Sequence, residues 1–251
     1  IRKIVIATGV VSTLAGSGSS GFADGTGTAA KFYYPFGMET DGTNLYVADS
    51  SNTRIRKIVI STGVVTTLAG SGSVGSADGT GTAARFSSLG HITIVGNNLY
   101  VADRGNHAIR KIVISTGAVT TIAGSAGSTG STNATGTSAR FNAPYGITSD
   151  GTNLYVADNS NHMIRKIVIS TGAVTTLAGS TSSGSIDANG GLALFKNPTG
   201  LTIDGTNLYV VDSENHKIRK LDLRGTVTAD VKLHNLDDDT DVTVNLASSD
   251  T

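Results

Sequence analysis

One stretch of the chain returns again and again. The segment from Asn44 to Gly70, NLYVADSSNTRIRKIVISTGVVTTLAG, recurs with few changes from Asn98 and Asn153, and in shorter form from Asn207. The tripeptide Ile-Arg-Lys occurs five times, and its successive starts lie 54, 54, 55 and 54 residues apart. A fixed period of this length predicts supersecondary units that stack or close into a ring. The fold is therefore decided by what one unit forms and how its neighbours pack.

Each unit is expected to form four short strands. In the second copy these are Ile92 to Val95, Asn98 to Ala102, Ile109 to Ile114 and Ala118 to Ala123. They are rich in Val, Ile, Thr and Tyr, which suit a pleated and packed surface, and Gly, Asn, Asp and Ser separate them. No window has a helical period. A four-stranded unit repeated around a ring is a β-propeller blade, so the sequence predicts an all-β propeller.

The third strand of the unit supports a blade packed on both faces. In IRKIVI, Ile55 and Val59 point one way, whereas Ile58 and Ile60 point the other. A sheet with one solvated face would alternate apolar with polar residues, so both faces are expected to be covered. A stacked β-solenoid is the competing repeat architecture, but its rungs are normally shorter and lack these hairpin turns.

The repeats divide the chain into a propeller over residues 1–231 and a tail over residues 232–251. The propeller holds four full units, preceded by a half-unit at residues 1–16 that carries only a third and a fourth strand. A ring of five blades results if tail strands near Val231 and Val242 complete the half-unit, and a ring of six results if further blades lie upstream. The tail matches the missing strands poorly, which favours six. The tail is otherwise expected to begin a following β domain.

Composition excludes several functions. The formal net charge is 0, which argues against a nucleic-acid partner held by a broad basic face. No apolar run is long enough to insert into a membrane. With no cysteine, the chain forms no disulfide and performs no thiol chemistry. Abundant Gly, Ser and Thr with few charges are typical of secreted or surface proteins of bacteria, so an extracellular or cell-surface location is expected.

The turn between the second and third strands carries a family resemblance. Asn-His pairs at His107, His162 and His216 follow NLYVAD-like strands and precede IRK, and the first copy has Asn52-Thr53 instead. The units resemble NHL repeats. The resemblance implies a propeller, commonly of six blades, in a family of protein- and RNA-binding platforms, extracellular sensor and adhesion modules, and a few lyases. The tail, DVTVNLASSDT, resembles the opening strands of immunoglobulin-like repeats of bacterial surface proteins.

Polar residues that recur in every unit are interpreted as structural. An Asp at the end of the second strand is expected to pair with the Arg of the third. The motif histidines are expected to serve the turn rather than a metal, because equivalent positions on separate blades diverge.

Each long connection is expected to end in one helical turn whose Phe fills the gap between blades. The connection acids Asp24, Asp78 and Asp187 fit no calcium loop and are assigned to turns. Two G-x-G-x-x-G matches lack a βαβ context, so no dinucleotide site is predicted.

Departures from the repeat point to function. They concentrate in two connections that open on one propeller face, where aromatic side chains with a few charges suit a protein or glycan ligand. The sequence contains no nucleophile–base pair, so we expect a non-catalytic recognition, adhesion or scaffold module without a cofactor, which binds a protein, a glycan or copies of itself. The alternative is a lyase or hydrolase with a channel metal at His91. The candidate ligand-binding residues are Tyr33, Tyr34, Phe36, His91, Arg104, Tyr145, Lys196 and Glu214.

Overall fold

The protein is all-β, and its sheets are arranged as blades of a β-propeller, as the repeat predicts. The computed structural model describes residues 1–224, so the tail expected over residues 232–251 and the last strand of the fourth unit lie outside the described residues. None of the helices described in residues 1–224 is long and apolar enough to cross a membrane. The strands are β1 (Arg2–Ile4), β2 (Val11–Thr13), β3 (Gly25–Thr26), β4 (Pro35–Thr40), β5 (Asn44–Asp49), β6 (Arg54–Val59), β7 (Val64–Ala69), β8 (Gly79–Thr80), β9 (Leu89–Val95), β10 (Asn98–Asp103), β11 (Ala108–Val113), β12 (Ala118–Gly124), β13 (Pro144–Ser149), β14 (Asn153–Asp158), β15 (Met163–Val168), β16 (Val174–Gly179), β17 (Pro198–Ile203), β18 (Asn207–Asp212) and β19 (Lys217–Asp222).

Each blade is an antiparallel meander. Blade 1 is built from β4 to β7, blade 2 from β9 to β12, blade 3 from β13 to β16, and blade 4 from β17 to β19 within the described residues. The short strands β3 and β8 add to the outer edges of blades 1 and 2. Strands β1 and β2 form a separate two-stranded sheet, which we call the half-blade. The number of blades in a complete ring stays a prediction.

The innermost strands of neighbouring blades pack backbone against backbone. Strand β4 contacts β9, β9 contacts β13, and β13 contacts β17. Glycines permit this approach, because a Cβ on Gly37 would lie 2.5 Å from the Cα of His91 and one on Gly90 would lie 2.5 Å from the carbonyl oxygen of Tyr145. The loops before these strands therefore converge at one mouth of the central axis.

The core lies between blades. Each long connection contains one turn of 3₁₀ helix, and a buried phenylalanine follows it, at Phe32, Phe86, Phe141 or Phe195. The expected helical turn and the interblade Phe are both confirmed. The Phe lies three residues beyond the helix rather than inside it. The 3₁₀ helices are Gly27–Ala29, Gly81–Ala83, Gly136–Ser138 and Gly190–Leu192 in these connections, and Ser50–Asn52, Arg104–Asn106, Asn159–Asn161 and Ser213–Asn215 after the second strands.

Candidate ligand-binding site

A buried ion pair fixes the turn that presents the loop face in every blade. In blade 2 the side chains of Asp103 and Arg110 are almost completely buried, and Oδ2 of Asp103 lies 2.7 Å from Nη1 of Arg110. The other carboxylate oxygen of Asp103 accepts a hydrogen bond from the backbone N–H of Ser87, and Asn106 donates to Oδ2. The expected Asp–Arg pair is thus present, and it ties both connections on the loop face to the blade. Equivalent pairs are Asp49–Arg56, Asp158–Arg165 and Asp212–Arg219.

Burial disfavours the charged form of two of these carboxyl groups, those of Asp103 and Asp158. Desolvation raises the pKa of Asp103 above its ordinary value despite the hydrogen bonds from Asn106 and Arg110. Desolvation likewise raises the pKa of Asp158 to about 6, against the stabilising hydrogen bonds from Asn142, Asn161 and Arg165. In blades 2 and 3 the surrounding fold therefore maintains the pair against the desolvation of its carboxylate.

The same arginines have a second partner that the sequence interpretation missed. Nη2 of Arg110 lies 2.7 Å from Oδ1 of Asp78, in the long connection that precedes the blade. The turn role predicted for Asp24, Asp78 and Asp187 is therefore incomplete, because each of these acids also forms an ion pair with a buried arginine. The guanidinium of Arg110 also lies 5.1 Å above the centre of the Phe86 ring, a cation–π contact. In blade 3 the acid is replaced by Asn133, whose Oδ1 accepts from Arg165 at 2.8 Å.

The motif histidines are turn residues, as expected. His107 and His162 adopt left-handed backbone conformations at the end of a 3₁₀ turn. Nδ1 of His107 accepts a hydrogen bond of 3.0 Å from the backbone N–H of Ala143 on the next blade, and Nδ1 of His162 accepts one of 3.2 Å from Asn197. Burial lowers the pKa of His107, which favours the neutral form that this acceptor role requires. Within residues 1–224, no group of three or more His, Asp or Glu side chains is placed to hold a metal ion.

Four of the eight candidate residues come together at the channel mouth, and we call them the central aromatic cluster: Phe36, His91, Tyr145 and Arg104. The rings of Phe36 and Tyr145 meet edge to face with centres 5.1 Å apart, and that of His91 lies 5.5 Å from Phe36 and 5.9 Å from Tyr145. The guanidinium carbon of Arg104 lies 5.3 Å from the Tyr145 ring centre. Three blades thus contribute one ring each to a single patch.

Protonation and exposure of this cluster suit ligand contact. Burial lowers the pKa of His91, so its imidazole is neutral near pH 7. Burial raises the pKa of Tyr145, an effect that the charge of Arg104 opposes, and the phenol keeps its proton. The side chain of Phe36 is 45% exposed, and Arg104 is exposed and forms no ion pair with the residues that the structure describes. The patch therefore has one exposed ring, that of Phe36, two half-buried rings and a cation at its edge.

The other four candidates form two separate pairs. The rings of Tyr33 and Tyr34 are tilted against each other, with centres 5.4 Å apart, beside the half-blade. On blade 4, Lys196 Nζ lies 3.5 Å from an oxygen of Glu214, so these two residues form a half-exposed ion pair. The sequence analysis grouped these four residues with the cluster because the sequence shows that they lie in the same connections of the repeat. It does not show how far each lies from the cluster around the propeller axis.

Comparison with known proteins gives repeat relatives and propeller structures. No family model matches the chain. It is 31% identical over 224 residues to Protein SUPPRESSOR OF QUENCHING 1, chloroplastic, of Arabidopsis thaliana. The alignment covers 82% of this chain and 21% of that protein. It is 35% identical over 136 residues to NHL repeat-containing protein 2 of Bos taurus. This alignment covers 50% of this chain and 19% of the relative. The chain thus spans about a fifth of each of these two proteins.

Among solved structures, an auxiliary nutrient binding protein from Bacteroides thetaiotaomicron superimposes with a TM-score of 0.64 at 22% identity, over 86% of this chain and 50% of that one. This likeness concerns the fold. The similarity to NHL repeat-containing protein 2 agrees with the recurring Asn-His turns: the units of this chain are NHL repeats, and its sheets are the blades of a β-propeller.

Proposed function

We propose that this propeller is a non-catalytic recognition module that binds a protein or glycan ligand at the central aromatic cluster. The observation that carries the proposal is the convergence of Phe36, His91 and Tyr145 from three blades beside the exposed Arg104. The side chains that meet there are ones that depart from the repeat.

The chemistry of the cluster suits a ligand that has both an apolar face and a negative charge. Aromatic rings offer a large, rigid contact area to the C–H face of a sugar or to an apolar side chain. The guanidinium of Arg104 has donors arranged to hold a carboxylate through two parallel hydrogen bonds. An acidic polysaccharide or a carboxylate-bearing peptide loop satisfies both requirements.

The solved structure of an auxiliary nutrient binding protein has a similar fold, and a binding role on this fold is consistent with our proposal. We further propose that the module is extracellular or attached to a bacterial surface, as part of a longer modular protein with adhesive or scaffold functions. The composition, poor in charge and rich in Gly, Ser and Thr, supports this location.

The test is affinity electrophoresis of the full chain through gels that contain polygalacturonate, an acidic polysaccharide, or amylopectin, a neutral one. We expect polygalacturonate to retard the protein and Tyr145→Ala to remove most of that retardation. Tyr34→Ala is the matched control, because Tyr34 is an exposed aromatic residue outside the cluster. Arg104→Ala should weaken retention and make it less sensitive to salt.

Retention by neither gel, together with no capture of acidic peptides on an array, would contradict recognition by this cluster. Equal losses in Tyr145→Ala and Tyr34→Ala would place binding elsewhere on the loop face. Release of shortened sugar products during incubation would instead favour the enzymatic alternative.

A further inference from the structure

The central aromatic cluster contains polar groups that have no partner among the described residues. The imidazoles of His107 and His162 each accept a hydrogen bond from a backbone N–H of the next blade. Within residues 1–224, the imidazole of His91 contacts the rings of the cluster but forms no hydrogen bond. The same holds for the phenol of Tyr145, whereas that of Tyr155 in the same blade donates to a carboxylate. The cluster therefore has hydrogen-bonding capacity that the blades do not use.

These unpaired groups are accessible to a ligand. The fully buried side-chain nitrogen and oxygen atoms that lack a partner in residues 1–224 do not include those of His91 or Tyr145. The polar atoms of these two half-buried side chains therefore lie at the surface of the channel mouth. They belong to blades 2 and 3, each of which packs against a described blade on both sides.

The unpaired groups combine donors and acceptors within a small area. A neutral imidazole has one donor and one acceptor nitrogen, a phenol both donates and accepts, and a guanidinium only donates. The ring centre of His91 lies 5.9 Å from that of Tyr145, which lies 5.3 Å from the guanidinium carbon of Arg104. One ligand ring placed over the cluster can therefore contact all three groups.

This set of groups distinguishes between the ligands that the proposed function allows. The ionised carboxylate side chain of a peptide has only acceptors, so it would pair with Arg104 but give the acceptor nitrogen of His91 no donor. A neutral sugar has hydroxyls that donate and accept, but it has no anion for Arg104. A sugar with a carboxylate supplies both, and its C–H face fits the exposed ring of Phe36. Because a polar group left unpaired on binding costs affinity, the carboxylated sugar is favoured.

We propose that the central aromatic cluster binds a uronic acid residue, the carboxylated pyranose unit of an acidic polysaccharide. The sugar packs its C–H face on Phe36, and its carboxylate accepts hydrogen bonds from Arg104. One ring hydroxyl donates to the acceptor nitrogen of His91, and another accepts from the phenol of Tyr145. The inference rests on the proposed function and narrows its ligand from a protein or glycan to one class of glycan.

The test is titration calorimetry of the full chain with trimers of galacturonate, glucuronate and mannuronate, and with triglutamate, a peptide that has carboxylates but no hydroxyls. We expect at least one uronate trimer to bind saturably and triglutamate not to bind at the same concentrations. The methyl ester of the best trimer should bind about tenfold more weakly or worse, because it loses the charge-assisted hydrogen bonds to Arg104.

Two variants remove only the polar atoms of the cluster and keep its rings. His91→Phe should weaken binding of the best uronate trimer about tenfold, and Tyr145→Phe should weaken it about threefold or more. Tyr34→Phe is the matched control, because it removes a phenol outside the cluster, and it should leave the affinity unchanged. Urea midpoints near that of wild type would show that the variants are folded.

The outcomes separate this inference from the proposed function. Binding of triglutamate as tight as that of the best uronate trimer would overturn the inference but leave recognition by the cluster intact. Full affinity for the uronate trimer in both folded variants, or for its methyl ester, would overturn the inference as well. If no uronate trimer binds, the inference is wrong, and capture of acidic peptides on an array would then decide whether the proposed function still stands.

Discussion

Loss of the buried Asp should destabilise blades 2 and 3 to different extents, because their buried arginines differ in the number of carboxylate partners. Arg110 contacts two carboxylates, Asp103 at 2.7 Å and Asp78 at 2.7 Å. Arg165 contacts one carboxylate, Asp158 at 2.8 Å, since Asn133 occupies the place of the second. Removing the buried Asp should therefore leave Arg165 without any counter-charge but leave Arg110 with one.

The magnitudes follow from burial. Asp158→Ala leaves an uncompensated buried cation, a change that costs about 3–5 kcal/mol. Asp103→Ala should cost less by about 0.5–1 kcal/mol, because the half-exposed pair with Asp78 remains and pairs of that kind contribute at most about 1 kcal/mol. Restoring the second acid with Asn133→Asp should stabilise the native protein slightly and recover part of the loss in Asp158→Ala.

The assay is urea unfolding at pH 8, where Asp158, with a pKa raised by burial to about 6, is ionised. For a slope of about 2–3 kcal/mol per molar urea, Asp158→Ala should lower the midpoint by about 1–2 M. A midpoint within 0.3 M of wild type (about 1 kcal/mol or less on that slope) would refute the reasoning. So would a larger loss in Asp103→Ala than in Asp158→Ala, since the second carboxylate would then have no compensating role.

Three further predictions concern backbone contact, protonation and a surface turn. Gly146→Ala would drive a Cβ into the Thr199 carbonyl oxygen on the next blade, so it should cost about 1–3 kcal/mol in urea unfolding, and an unchanged midpoint would mean that the blades can separate. Since burial lowers the pKa of His107, the unfolded chain binds its proton more readily, and the stability due to neutral His107 should be lost as pH falls below about 6.5. In urea unfolding, His107→Asn should therefore flatten this pH dependence, and an unaltered pH dependence in His107→Asn would contradict the acceptor role. Tyr46→Phe removes a hydrogen bond of 2.9 Å to an aspartate and should cost about 1 kcal/mol, whereas Tyr100→Phe, in the copy without that aspartate, should be nearly neutral; equal effects would show that the bond is not stabilising.

Features that depend on one repeat unit were predictable from the sequence. The four strands, the Asp103–Arg110 pair and the interblade Phe86 all follow from residues that recur at fixed places in every unit. A residue that recurs in every unit indicates the same local environment in every blade, so its structural role can be inferred from the four copies together. The structural role of the histidines was predictable for the same reason, although the acceptor bond of His107 to the next blade was not.

Features that depend on the relation between units were harder to predict. The contact of Asp78 with Arg110 joins residues on two different connections, and only the three-dimensional register brings them together. A signal was nevertheless present, because an acid or amide stands at the same distance before each arginine. The position of Tyr34 beside the half-blade, away from the central aromatic cluster, depends on which blade neighbours it, and no pattern within one unit contains that information.

The central claim is that recurring polar residues maintain the blades, whereas departures from the repeat recognise the ligand. The most direct measurement compares Asp158→Ala and Tyr145→Ala for both the urea midpoint and retention by polygalacturonate. The account predicts opposite results for the two variants. Asp158→Ala should lower the urea midpoint by about 1–2 M, while its folded fraction still binds polygalacturonate. Tyr145→Ala should keep its midpoint within about 0.5 M of wild type but lose retention by polygalacturonate. Loss of binding in folded Asp158→Ala, with retention intact in Tyr145→Ala, would contradict it.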